Sequence, residues 1–84
     1  MSGKPLRLTA MIEREDEFYI ATCLELNLVS QGETVEAARA NLLEAVEAFL
    51  ESAALSEIRR RLKKDICFLE IIPNIPGAKL AAVA

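Results

Sequence analysis

Residues 28–53 read LVSQGETVEAARANLLEAVEAFLESA. A short apolar segment passes through Ser30, Gln31 and Gly32 into one long helical pattern. Val35, Ala38, Leu42, Ala45, Val46, Phe49 and Leu50 recur at spacings of three and four, which predicts a helix with one broad apolar stripe. Gly32 breaks the preceding strand, Thr34 is placed to cap the helix, and Glu36 lies in the first turn, where the helix dipole favours a negative charge. The pattern fades at residues 52–54. No residue of the turn or the stripe is an obvious nucleophile or metal ligand. The stretch therefore reads as architecture, a helix laid on a sheet, and function is expected on the surface left over.

The flanks supply the sheet. In residues 6–13, Leu6, Leu8, Ala10 and Ile12 alternate with Arg7, Thr9, Met11 and Glu13, the period of a half-buried strand. Residues 14–17 form a charged turn. A second strand over 18–24 puts Phe18, Ile20, Thr22 and Leu24 on one face and Tyr19, Ala21 and Cys23 on the other. A tight connection through Glu25, Leu26 and Asn27 leads to a third strand over 28–31. Downstream, a short second helix from Ser56 turns Ile58 and Leu62 inward and Arg59, Arg60, Lys63 and Lys64 outward. Residues 66–72 are β-rich and apolar on both faces, and Pro73 ends them. The order β-β-β-α-(α)-β predicts an α+β fold: a three-stranded antiparallel meander, a fourth strand parallel to and beside the first, and one main helix packed on the sheet. Residues 1–72 form this domain and 73–84 a short C-terminal tail. One helix covers one face of such a sheet, yet strands two and four are apolar on both. A homo-oligomer, dimer or larger, is the expected cover for the second face. Residues 75–84, with Leu80 and Val83, are placed to serve as an exchanged arm.

Composition excludes several classes of function. The chain has 84 residues, 52% of them apolar, with one Tyr, three Phe and no Trp, and a domain of this size cannot bury all its apolar side chains in one core. A net charge of −3 disfavours nucleic acid as the main ligand and suits a basic protein partner. The N-terminal residues lead into an alternating segment without a secretory apolar region, and no run approaches the roughly 18 apolar residues of a membrane span. A cytoplasmic protein with no membrane association is expected. Cys23 and Cys67 sit in apolar runs and read as small buried side chains. Histidine is absent, which removes the commonest general base and metal ligand together.

Glu13 and Asp16 before the aromatic pair Phe18 and Tyr19, then Leu24, Glu25 and Leu26, Ser30, Gln31, Gly32 and Thr34, Glu36 and Ala37, Asn41, and Glu44 and Ala45 together resemble the HicB-like antitoxin family over residues 6–72. The spacing from Ser30 to Ala45 is its most specific part. The resemblance implies a β-β-β-α-β domain of partial ribonuclease H-like fold, oligomerisation, and binding of a small HicA-type toxin, an RNA-cleaving protein. Many members carry a C-terminal DNA-binding module. Only twelve residues follow Ile72 here, so operator DNA is not an expected ligand. Ala37 stands where a Glu would complete a capping box with Thr34, so the cap rests on Thr34 without a reciprocal bond.

The candidate site residues also have plainer roles. Glu13, Asp16, Glu25 and Glu44 are the carboxylates available for Mg²⁺, but a hard-metal site needs them convergent, and Asp16 lies in a turn and Glu44 on the helix. Ser30 has no histidine to activate it and reads as a strand-end hydroxyl satisfying a turn. Tyr19 reads as core or interface. Arg59, Arg60, Arg61, Lys63 and Lys64 form a basic cluster without aromatic interleaving; besides gripping phosphate, it is placed to neutralise the acidic helix or to contact a neighbouring subunit. Glu44, Glu47 and Glu51 lie at helical spacing away from the stripe and are the candidate surface for a basic partner. The expected function is thus a non-catalytic antitoxin, without cofactor or metal, that neutralises a small HicA-type ribonuclease toxin. An orphan domain of the same fold, acting as a small-ligand-binding or regulatory subunit, is the alternative.

Overall fold

The computed structural model describes residues 5–64 and 66–83. Residues 1–4 at the start of the expected domain, Asp65 and the final tail residue Ala84 lie outside them. Three strands, β1 (Ala10–Glu15), β2 (Phe18–Cys23) and β3 (Leu28–Gly32), form an antiparallel sheet in the order β1-β2-β3. They are followed by α1 (Val35–Ser52), α2 (Leu55–Leu62) and α3 (Gly77–Val83). The chain has the expected α+β class.

The first hairpin is tighter than the charge pattern suggested. Glu15 pairs with Phe18, so only Asp16 and Glu17 turn, and Asp16 takes the left-handed conformation (φ 53°) that Asp and Asn tolerate best. The strand consequently runs to Glu15 instead of ending at Glu13. It also starts later, at Ala10, although Thr9 C=O still accepts from Leu24 N–H at 3.1 Å. Asn27 (φ 57°) closes the β2–β3 connection, from which Leu26 is driven fully into the core. Register places Ala10, Cys23 and Leu28 in one row and Ile12, Ala21 and Ser30 in the next, both beneath α1. Met11, Thr22 and Val29 form a row on the opposite face.

The helix packs the expected stripe. Ala38, Leu42 and Val46 are buried with Ala21, Cys23 and Leu26, and Leu8, Ile12, Tyr19, Leu28, Phe49, Leu50 and Leu62 pack around them. Val35, the first stripe residue, is exposed because the sheet ends beneath the first turn. Thr34 Oγ1 accepts from Ala37 N–H at 3.0 Å, and the cap works without the reciprocal glutamate. Ser30 and Gln31 are strand residues paired with Ala21 and Ile20, not turn residues. Asn41 Nδ2 donates to Gln31 C=O at 2.8 Å, tying helix to strand. Gly32 ends β3 where the helix comes closest. A Cβ there would lie 2.5 Å from Ala38 N and 2.7 Å from Ala37 C.

The expected fourth strand is absent from the described sheet. Residues 66–76 have no regular structure and are exposed, with Leu69, Ile71 and Ile72 each 84% accessible. A strand needs a partner edge, and among the described residues the segment pairs with none. Cys67 is therefore exposed, contrary to expectation, while Cys23 is buried. The tail beyond it forms the short helix α3, begun by Lys79 and Leu80 N–H donating to Pro76 C=O. The radius of gyration is 17.1 Å, against about 12 Å for a compact domain of this length. The excess is the projecting C-terminal arm.

Replacing Gly32 by Ala is expected to destabilise the domain by about 2 kcal/mol or more, because the obstructing atoms are helix backbone. Thr34→Ala should cost about 1 kcal/mol through the lost cap. Urea unfolding followed by circular dichroism measures both. Equal, near-zero costs would show that the β3–α1 junction has slack.

Candidate functional site

Beside the open face of the sheet, two surfaces stand out once the core is assigned: the outer face of α1 and the uncovered flank of β1. Glu44, Glu47 and Glu51 are all exposed on α1, on the side opposite Leu42 and Val46. The ion pairs found among the described residues join Glu57 to Arg60 and to Arg61 and involve none of the three. Like charges at i,i+3 and i,i+4 oppose helix formation. Glu51 additionally sits near the negative end of the dipole, in a helix with no basic residue in its last turn. The helix gains no local charge pairing from these glutamates. Between them and the cleft described below, Leu43 is half exposed.

The basic cluster is partly spent within the fold. Arg61 Nε donates to Glu57 Oε2 at 2.8 Å, Nη1 donates to Leu26 C=O, and the guanidinium stands 4.7 Å from the Phe49 ring centroid. It thereby ties α2 to both the β2–β3 turn and α1. Arg60 pairs with Glu57. The basic residues thus neutralise a glutamate of their own helix, not the acidic face of α1. Arg59, Lys63 and Lys64 remain exposed. Sequence reading passed over the Arg61 tie, although Arg61 lies three residues beyond the inward Ile58, on the buried side of α2.

The four scattered carboxylates do not converge. Glu13 projects from the open face of β1, Asp16 sits at the hairpin tip, Glu44 is on the helix, and Glu25 is at the other end of the sheet. Among the described residues no group of three His, Cys, Asp or Glu is arranged to hold a metal ion. Glu25 has a structural partner instead. Its Oε1 and Oε2 accept from Thr9 N–H and Thr9 Oγ1, each at 2.8 Å, and Cys23 Sγ approaches at 3.8 Å. Partial burial pushes the Glu25 carboxyl up, but the Thr9 hydrogen bonds outweigh it and hold its pKa below the ordinary 4.5. The Arg60 and Arg61 hydrogen bonds likewise lower that of Glu57.

The second surface is a cleft of about 160 Å³ lined by Leu8, Thr9, Ala10, Cys23, Arg39, Leu42, Leu43 and Val46. It opens because α1 lies chiefly over β3 and β2 and touches β1 only lightly. The cleft is smaller than the roughly 300–1,000 Å³ of small-molecule sites. No helix among the described residues is long and apolar enough to cross a membrane. Comparison of the chain with models of protein families, with curated proteins and with solved structures finds no match.

A carboxyl whose folded pKa is depressed stabilises the fold above its unfolded pKa, and that contribution is lost as pH falls through the folded value. Unfolding free energy should therefore be flat above pH 5 on account of Glu25 and decline below its ordinary 4.5. Glu25→Gln should cost about 1 kcal/mol at pH 7 and make the acid decline shallower. An acid decline unchanged in the variant would remove Glu25 as its source.

Proposed function

We propose that this chain is a non-catalytic, HicB-like antitoxin that acts in the cytoplasm by binding a small basic ribonuclease toxin of the HicA type. The observation that carries the reading is the row of Glu44, Glu47 and Glu51, exposed and outside the ion pairs of the described residues. Their like charges repel along the helix, so a partner's opposite charge is the natural counterpart. A toxin that cleaves RNA needs a basic surface, and an acidic helix face is suited to mask it. The dispersal of Glu13, Asp16, Glu25 and Glu44 leaves no convergent set for hydrolysis. With a fourth strand added to the sheet, the domain would have the partial ribonuclease H-like arrangement of that family, as a homo-oligomer.

The triple change of Glu44, Glu47 and Glu51 to Lys should slow association with a small basic ribonuclease toxin and reverse the salt dependence of the rate, leaving the fold intact because the apolar stripe is untouched. Single changes should cost about 0.5–1 kcal/mol each, as exposed rim charges do. Stopped-flow association at low and high salt, with circular dichroism as the folding control, is the measurement. A folded triple variant that binds as fast as wild type would exclude this face.

A further inference from the structure

Beyond the partner reading, and independent of it, the projecting arm and the open flank of β1 belong together. We infer that residues 66–72 of one copy add as a fourth strand to the β1 edge of a second copy. There Cys67, Leu69 and Ile71 face the cleft lined by Leu8, Ala10, Leu42, Leu43 and Val46, with Arg39 at its side.

The edge is available. Thr9 C=O and N–H both point toward the β2 side, the former to Leu24 N–H and the latter to Glu25. The alternation of an antiparallel ladder then turns the backbone groups of Ala10, Ile12 and Arg14 outward, where the three-stranded order leaves them without a strand partner. Unpaired edges of this kind are templates for another strand.

The arm fits this edge in length and pattern. Seven extended residues span about 23 Å, and the six residues of β1 about 20 Å. Residues 67, 69 and 71 are Cys, Leu and Ile, a face without charge, while 66, 68, 70 and 72 are Ile, Phe, Glu and Ile. The sheet has the same asymmetry. Its covered side at β1 carries Ala10 and Ile12, with Arg14 toward the hairpin, and its open side mixes Met11, Ile20 and Val29 with Glu13 and Gln31. A fourth strand would set the uncharged face under α1 and the mixed face beside Met11.

A second copy is favoured as the source by reach. Arg61 ties the end of α2 to Leu26, at the turn between β2 and β3. The strand position beyond β1 lies on the far side of β2, about 12 Å across at 4.8 Å per strand, and a layer beneath the helices. Four residue steps separate Leu62 from Ile66, and fully extended they span about 13–14 Å, short of that lateral distance and the depth of a layer combined. The arm instead points away from its own body, and Leu69, Ile71 and Ile72 are the most exposed large apolar side chains described. Reciprocal exchange between two copies covers both arms at once.

Light scattering on the full chain across micromolar concentrations tests this. Wild type should have the mass of two 9.2 kDa chains. A double variant, Leu69→Lys with Ile71→Lys, spoils the arm at positions that are 84% accessible in the single chain. Ala10→Pro blocks the edge without removing a β1–β2 hydrogen bond, and circular dichroism checks its fold. Each alone should weaken dimerisation at least tenfold. Mixed together they should form a heterodimer tighter than either homodimer, since one copy still offers its arm and the other its edge. A monomeric wild type would overturn the inference, and dye binding gained on spoiling the arm would then place it on its own edge. A dimer unaffected by both variants, or a mixture that stays monomeric, would overturn it equally.

Discussion

The close approach of α1 to the end of β3 sets the rest of the molecule. At Gly32 the helix backbone comes so near that a single methyl group would meet Ala38 N and Ala37 C well inside contact distance. Thr34 starts the helix two residues later and Asn41 holds it against Gln31. With its first turns pinned there, α1 crosses chiefly over β3 and β2. Three consequences follow from that one placement. The stripe from Ala38 to Val46 is buried, the glutamates on the opposite side face outward, and the flank of β1 is left uncovered.

Charge is divided along the same lines. The basic residues of α2 meet an acid within their own helix, because Glu57 lies three and four residues before Arg60 and Arg61. Arg61 goes further and joins α2 to the Leu26 carbonyl and the Phe49 ring, a role that depends on its planar fork of donors. The glutamates of α1 find no such partner in either ion pair, so their field extends into solvent, where it steers the approach of a cation. Local neutralisation in one helix and none in the other leaves the acidic surface intact.

Both open surfaces arise from the ratio of apolar residues to helical cover. One helix shields one face and most of one flank of a three-stranded sheet. Met11 and Val29 on the open face and the apolar side chains of residues 66–72 stay exposed in the single chain. The inferred edge pairing between copies would resolve the unpaired backbone of β1 and the unburied arm with the same contact.

The sequence by itself determined what depends on neighbours a few residues apart. Period-two alternation located β1 to β3, the three-and-four stripe located α1, and Thr34 and Gly32 marked its start, since propensity, capping and patterning act through local sterics and hydrogen bonds. The exposure of Glu44, Glu47 and Glu51 was legible for the same reason. Residues 66–72 show the limit. Alternation reports that a segment needs burial on two sides, but not which edge pairs with it or which chain that edge belongs to. Nor could spacing reveal that Thr9 meets Glu25 or that Arg61 meets Leu26, contacts across 16 and 35 residues. The cleft beside β1 likewise exists only because the helix axis is set by the clearance at Gly32. These are matters of three-dimensional reach and packing, which the tertiary structure alone decided.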